Sequence, residues 1–204
     1  MNVVNGTMLP ETENQVYLIV GLGNPGREYK ETRHNAGFML LDRLAQRLGE
    51  KFTRLESRAL VTKATYQEQR LILAKPQTYM NNSGPSVMSL FKYYRVNSPD
   101  LMVVHDDVDL AFGSIRIRPG GSSPGHRGVD SIINALGSKD FSRMRLGIGR
   151  PPGNRSTQDY VLEKFLPEEV DFLDGIIAKG VDAVQEYLTN GLDSAMNRFN
   201  SRIE

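Results

Sequence analysis

The stretch Val16-Tyr17-Leu18-Ile19-Val20 is a short apolar run, and the glycines Gly21 and Gly23 close it on its carboxyl side. Such a run is typical of a strand buried on both faces, which belongs to a sheet that helices cover. From residue 38 to residue 48 apolar side chains recur at helical spacing, and Gly49 follows as a stop signal. Residues 16–49 therefore predict a buried strand, a loop and an amphipathic helix.

The rest of the chain continues this alternation of strands and helices. Apolar runs and alternating patterns predict further strands at residues 60–66, 71–74, 101–104, 114–118 and 144–148. Helical spacing predicts helices over residues 87–94 and 129–136, and one long helix from Pro167 with apolar positions as far as Leu188. With no internal repeat or break in composition, the pattern predicts a single α/β domain over residues 16–204. Residues 1–15 lack periodicity, and we expect a flexible extension there.

Composition narrows the classes of function. Lys and Arg number 25 and Asp and Glu 24, so a net charge of +1 gives no bulk attraction to nucleic acid or membranes. Any contact with RNA must therefore be local. No apolar run approaches the roughly 20 residues of a membrane span, and the start of the chain lacks the order of a signal peptide. We expect a cytoplasmic protein. The absence of cysteine excludes disulfides, thiolate metal sites and cysteine nucleophiles.

Two generic motifs match by letter but fail on chemistry. Residues 21–26 fit the dinucleotide pattern G-x-G-x-x-G, yet Pro25 removes an N–H donor and residues 27–33 offer no apolar face for a crossover helix. Residues 121–125 fit the nucleophile pattern G-x-S-x-G, yet Pro124 lacks the N–H that would help to form an oxyanion hole. Pro25 and the charged stretch after it therefore argue against nucleotide binding at residues 21–26. Residues 121–125 are better interpreted as a glycine-rich loop that accepts phosphate.

The histidines His34, His105 and His126 lack the usual spacing of metal ligands, which favours acid–base chemistry without a metal. His34 lies between a polar loop and an amphipathic helix, where a base is both exposed and held. The alternative is a solvated or capping histidine.

Three carboxylates follow the strand predicted at residues 101–104, where open α/β sheets collect their ligands. An aspartate at this place can orient an imidazole and stabilise its charge. Of Asp106, Asp107 and Asp109, we expect at least two to lie in a solvated turn.

Six segments between about residue 16 and residue 199 carry a more specific signal, in this order: G-L-G-N-P-G-R-E-Y, T-R-H-N-A-G, K-P-Q-T-Y-M-N-N-S-G, V-V-H-D-D-V-D-L, P-G-H-R-G and R-L-G-I-G-R-P. Together they resemble the bacterial peptidyl-tRNA hydrolase family over nearly the whole chain. The resemblance implies a mixed central sheet flanked by helices, with the site in a cleft above the strand ends. We also expect a monomer that needs no cofactor and no metal.

The resemblance implies hydrolysis of the ester bond of peptidyl-tRNA, which releases free tRNA and peptide. His34 is then the general base on water, Asp106 its partner, and Asn24 the residue that senses the peptide amide next to the ester. The family's contacts with the tRNA 3′ end fall on Tyr29, Tyr79, Met80 and Asn81, and its contacts with the 5′ phosphate on Arg118 and Arg145. Aromatic rings, amides and guanidinium groups suit these tasks.

One position departs from the family, which usually has G-G-H-N-G where this chain has Pro124-Gly125-His126-Arg127-Gly128. Arginine cannot accept hydrogen bonds, so Arg127 cannot orient water as an asparagine does, and we expect it to position the substrate. Two alternatives remain. Chloroplast group II intron splicing factors resemble the same family and assemble RNA with protein, so one alternative is a non-catalytic RNA-binding relative. Retention of Asn24, His34, Asn81 and Asp106 argues against it. A dinucleotide-dependent enzyme is the weaker alternative.

Overall fold

A computed structural model describes residues 15–123 and 125–200. Within them seven strands form one sheet in the order β2-β3-β4-β1-β5-β7-β6. The strands are β1 (Val16–Gly21), β2 (Arg54–Glu56), β3 (Ala59–Tyr66), β4 (Gln69–Pro76), β5 (Leu101–Asp107), β6 (Ile115–Arg118) and β7 (Ser142–Gly147).

Five helices accompany the sheet: α1 (Ala36–Arg47), α2 (Gly84–Tyr93), α3 (Arg127–Leu136), α4 (Thr157–Leu162) and α5 (Pro167–Phe199). Short 3-10 turns stand at Arg27–Tyr29, Arg33–Asn35, Met80–Asn82 and Ser98–Asp100. None of the helices in this part of the chain is both long and apolar enough to cross a membrane.

The sheet is mixed, which confirms the expected fold class. β1 is parallel to β4 and to β5, and β5 is parallel to β7, whereas β2, β3 and β6 run antiparallel to their neighbours. The four parallel strands therefore end at one side of the sheet, which we name the carboxyl edge. The loops at this edge approach one another and can build a site.

Helices cover both faces of the sheet, as the apolar run of β1 predicts. Ile19 belongs to the core on the side of α1 and α5, and Leu18 and Val20 belong to the core on the side of α2 and α3. All three side chains are fully buried. Burial of such a side chain contributes about 1.5–3 kcal/mol, so both layers stabilise the central strand.

Close packing of α1 against the sheet sets the position of the loop before it. A Cβ atom on Gly37 would overlap the carbonyl oxygen of Val104 in β5, so only glycine allows the helix to come this near. His34 lies three residues earlier, and it is thereby held against the end of β5.

The predicted strands and helices are confirmed, with two additions and one change. The additions are β2, a strand of three residues at the sheet's edge, and α4, a helix of six residues. The long helix α5 begins at Pro167 as expected, but Gly191 breaks it with φ 83° and ψ 175°. The expected extension lies outside the described residues except for Gln15, whose amide donates to the Asp100 carboxylate over 2.7 Å.

Candidate active site

His34 and Asp106 meet at the carboxyl edge, although 72 residues separate them in the chain. Nδ1 of His34 lies 2.9 Å from one carboxylate oxygen of Asp106 and 3.0 Å from the other. Because a carboxylate oxygen accepts hydrogen bonds, Nδ1 carries the hydrogen and Nε2 keeps a free lone pair. His34 lines a cleft of about 510 Å³, so this ring has the form that a general base requires.

A second imidazole completes this group, and the sequence had not pointed to it. His126 caps the amino terminus of α3, where its Nδ1 accepts a hydrogen bond of 3.3 Å from the backbone N–H of Val129. The ring hydrogen must therefore be on Nε2, which donates to Asp106 Oδ1 over 3.1 Å. A histidine just before a predicted helix is a capping signal, but nothing in the sequence places it beside Asp106.

Asp106 is held in its charged form. Burial raises the pKa of its carboxyl, but the imidazoles of His34 and then His126 outweigh burial, and the net pKa lies well below the ordinary value. The side chain is only 2% exposed, so its charge acts on the two rings with little screening by water. A permanent negative charge here stabilises His34 after it has taken up a proton.

The third histidine supports this arrangement from behind. His105 is buried in β5, donates from Nδ1 to the backbone carbonyl of Asp106 over 2.7 Å, and packs against His126 with ring centres 4.6 Å apart. Burial, and then the neighbouring His126, hold the pKa of His105 well below its usual value. The ring is therefore neutral, and it supports its neighbours through this hydrogen bond and this ring contact.

His34, Asp106 and His126 are also close enough to bind a metal ion, since each offers a ligand atom and these atoms lie within 4.8 Å of one another. The capping bond of His126 opposes this use. A metal bound at Nε2 would require the hydrogen on Nδ1, where it would face the Val129 N–H donor. The geometry thus fits proton transfer better than metal binding.

Asn24, in the loop after β1, offers a free hydrogen-bond donor to the same cleft. Its backbone N–H and C=O bond to the side chain of Asn35 over 2.8 and 3.0 Å, and its Oδ1 accepts from the Met80 N–H over 2.8 Å. These contacts fix the amide so that Nδ2 is the unoccupied atom; among the described residues it has no partner. Asn24 is only 7% exposed, but it lines the cleft, where this donor can meet a carbonyl oxygen.

Eight of the ten residues named from the sequence come together in this cleft: Asn24, Tyr29, His34, Tyr79, Met80, Asn81, Asp106 and Arg127. The sequence did not reveal the opposite wall, which α4 forms with Thr157, Gln158, Val161 and Leu162. Arg118 and Arg145 do not line the cleft and lie instead on the neighbouring strands β6 and β7.

Known proteins resemble this chain in both sequence and fold. Residues 18–204 match the sequence model of the family described as peptidyl-tRNA hydrolase. The chain belongs to this family. A peptidyl-tRNA hydrolase from Desulforudis audaxviator is 50% identical over 90% of this chain and 93% of its own length, and one from Thermoanaerobacter is 44% identical over 91% and 100%. The crystal structure of peptidyl-tRNA hydrolase from Acinetobacter baumannii is similar with a TM-score of 0.86 and 34% identity, over 92% of this chain and 96% of that one.

The carboxylates at the end of β5 differ from the sequence-based expectation. We expected at least two of Asp106, Asp107 and Asp109 in a solvated turn, which is wrong, because Asp106 and Asp107 are both buried within β5. Each has a partner that compensates its charge: the imidazoles for Asp106, and Arg145 Nε for Asp107. Only Asp109 lies in the turn, where it pairs with Arg150.

The arginines that the family resemblance assigned to phosphate occupy unlike environments. Arg145 is half-buried and already paired with Asp107, whereas Arg118 is exposed at the end of β6. A neighbouring arginine, Arg143, donates to the backbone carbonyl of Gly121 and, over 2.7 Å, to that of Ser122. It therefore anchors the glycine-rich loop that leads to His126.

Proposed function

We propose that the protein hydrolyses the ester bond of peptidyl-tRNA and releases free tRNA and peptide, as its relatives' names describe for them. The observation that carries this proposal is the pairing of His34 Nδ1 with the buried Asp106 carboxylate, which leaves Nε2 available to a water molecule in the cleft. Family membership over residues 18–204 supports it. Translation takes place in the cytoplasm, where we propose that this single-domain protein acts as a monomer without metal or cofactor.

In the proposed reaction His34 Nε2 takes a proton from water while the water oxygen attacks the ester carbonyl carbon. Asp106 stabilises the imidazolium that forms. The carbonyl oxygen becomes an oxyanion, and Asn24 and Asn81, which both line the cleft, stabilise it through their amide donors. When the tetrahedral intermediate collapses, the bond to the ribose oxygen breaks, and the imidazolium returns its proton to that oxygen. The products are a free tRNA 3′ end and a peptide whose new carboxylic acid releases its proton to solvent.

Contacts with the substrate follow from the lining of the cleft. Tyr79 is 66% exposed there, so its ring is free to stack on a base of the tRNA 3′ end, and Tyr29 and Met80 provide further apolar surface. The unoccupied Nδ2 of Asn24 can also donate a hydrogen bond to the carbonyl of the peptide amide next to the ester.

Positive charge for the tRNA backbone comes from outside the cleft and from its rim. We propose that Arg118 supplies the charge for the 5′ phosphate, since it is exposed, and that Arg145, paired with Asp107, contributes through its remaining N–H donors. Arg127 is exposed on the first turn of α3 and lines the cleft, where its five donors can hold a phosphate or a carbonyl of the substrate.

The deciding experiment measures release of deacylated tRNA from purified peptidyl-tRNA by the parent protein and by His34→Ala. We expect multiple turnover by the parent and a loss of about 10²-fold to 10⁴-fold in the variant, with little change in tRNA binding. Near-normal turnover by the variant would contradict the assigned base. Tight binding of tRNA without turnover by the parent would instead identify a non-catalytic RNA-binding relative.

A further inference from the structure

Three exposed cations lie in one row across the outer strands of the sheet. Arg54 of β2 pairs with Val61 of β3, and Lys63 follows Val61 by two residues, so both cations project from the face to which Val61 belongs. Arg70 of β4 pairs with Thr65, which is two residues beyond Lys63, and therefore projects from the same face. Since Val61 packs in the core beneath α2 and α3, the row lies on the side of these helices.

Two tyrosines at the end of α2 border this row. Tyr94 donates from its hydroxyl to the Glu56 carboxylate, and Lys63 Nζ lies 5.3 Å from the centre of the Tyr94 ring. Tyr93 meets this ring at 87°, with ring centres 4.9 Å apart, and is itself 73% exposed. A fixed ring thus supports a second ring that is open to solvent. We name this surface the basic face, and it consists of Arg54, Lys63, Arg70, Tyr93 and Tyr94.

The positive charge of the basic face is not compensated. Within residues 15–123 and 125–200, none of its three cations forms an ion pair. Glu56 is the acidic side chain that the three strands place on this face, and the Tyr94 hydroxyl engages it. Lys92 and Arg95 flank the tyrosines and are exposed. Because the whole chain carries a net charge of only +1, this excess is local, and it attracts polyanions.

The open ring of Tyr93 selects among polyanions. Lys and Arg side chains bind the phosphates of any nucleic acid, whereas a tyrosine ring stacks on a base that is not paired. A lipid surface offers no base, and a paired stem keeps its bases stacked on one another. The unpaired 3′ end of the substrate is assigned to Tyr79 in the active-site cleft. A base that stacks on Tyr93 therefore belongs to another strand.

We propose that the basic face binds single-stranded RNA at a site separate from the active-site cleft. The helix α2 sets the separation: Met80 and Asn81 line the cleft shortly before the helix begins, and Tyr93 is its last residue. At 1.5 Å per residue, α2 spans about 15 Å, which is more than one nucleotide of a strand covers. The proposed hydrolysis makes no use of the basic face, so this binding is a second activity.

The first measurement is the affinity of a fluorescent oligomer of about eight uridines, followed by anisotropy at several salt concentrations. Lys63→Gln and Arg70→Gln should each weaken binding about fivefold at about 0.1 M salt, because a single strand releases about 0.7 counterion for each phosphate contact. Arg47→Gln is the matched control, since Arg47 is exposed on α1 on the other face of the sheet. It makes the same change in net charge and should bind as the parent does. Equal affinities in all four proteins would overturn the proposal.

An abasic strand of the same length tests the stacking, because it carries the same phosphates without bases. The parent should bind it about tenfold more weakly than the uridine oligomer, and Tyr93→Ala should bind the two strands alike. If the parent itself bound both strands equally, the basic face would attract polyanions of any kind, and the proposed RNA site would be wrong.

Two further comparisons locate the bound strand. Tyr79→Ala should bind the uridine oligomer as the parent does, and weaker binding by this variant alone would place the oligomer in the active-site cleft and overturn the proposal. Arg70→Gln and Tyr93→Ala should hydrolyse peptidyl-tRNA with the parent's KM. A KM that rises in step with the loss of oligomer binding would show that the basic face binds the substrate tRNA instead. Oligomer binding is measured without turnover, so a failure of the proposed hydrolysis would not affect it.

Discussion

Replacing Asp106 by asparagine should prevent His34 from acting as a base, although the side chain keeps its size. The carboxylate accepts from two imidazoles, from His34 Nδ1 over 2.9 and 3.0 Å and from His126 Nε2 over 3.1 Å. An amide has one accepting oxygen and one donating nitrogen, so it cannot serve both rings equally.

His126 decides how the new amide turns. Since its Nδ1 accepts from Val129, its Nε2 carries a hydrogen and requires an acceptor, which the amide oxygen provides at the position of Oδ1. The NH₂ group then takes the position of Oδ2, 3.0 Å from His34 Nδ1, and the single oxygen, 2.9 Å from Nδ1, is shared between the two rings. A His34 ring with its hydrogen on Nε2 avoids this competition, because its Nδ1 can accept from the NH₂ group, and a protonated Nε2 cannot accept a proton from water.

We therefore expect Asp106→Asn to lower the rate of ester hydrolysis by about 10²-fold to 10⁴-fold, which corresponds to about 3 to 5 kcal/mol. The assay is single-turnover release of deacylated tRNA at saturating enzyme, with tRNA binding measured separately. Adding His126→Ala should restore at least about tenfold, because the amide can then turn its oxygen toward His34. The single His126→Ala variant completes the cycle. A double variant no faster than Asp106→Asn, or an Asp106→Asn variant within tenfold of the parent, would refute this account of the ring hydrogens.

Three further predictions test single residues. Because burial holds the pKa of His105 low, the folded protein keeps it neutral while the unfolded chain protonates it below about pH 6.5, so stability falls as the pH falls through that value. The variant His105→Asn retains a donor toward the Asp106 carbonyl. It should lose less thermal stability than the parent when the pH is lowered from about 7.5 to about 5.5. Equal losses would disprove the neutral state of His105 in the folded protein. Arg118→Ala should weaken peptidyl-tRNA binding and reduce its salt slope by about one, whereas a peptidyl ester of a nucleoside without the 5′ phosphate should be hydrolysed as by the parent; a matching loss there would rule out a phosphate contact. Arg127→Ala should raise KM about tenfold, near 1.4 kcal/mol, and Arg127→Asn should remain active; a collapse of kcat in Arg127→Ala would instead place this residue in the chemical step.

Elements with strong periodicity were predictable from the sequence, and weakly patterned ones were not. β1 and α1 bury most of their length, so their apolar spacing identifies them. β2 has no buried residue, and α4 buries Tyr160 alone, so neither leaves a pattern to detect. The break at Gly191 follows from backbone dihedral angles that a single glycine permits but does not require.

The candidate site was predictable in part, and the family resemblance supplied most of it. The contact of His34 with Asp106 depends on the parallel order of β1 and β5, which apolar patterns do not specify. His126 and the burial of Asp107 were missed for one reason: each depends on a partner distant in sequence, Asp106 for the ring and Arg145 for the carboxylate. Local composition at these positions resembles that of an ordinary turn.

The break at Gly191 sends the last turns of α5 to the outer side of β6, and Asn200 follows them. Its amide accepts from the backbone N–H of Ile117 over 2.6 Å and donates to the carbonyl of the same residue over 3.0 Å. One side chain thus imitates a neighbouring strand and occupies hydrogen-bonding groups that another chain would otherwise pair with. The sheet is terminated at this border, and loss of Asn200 would uncover a template for self-association and aggregation.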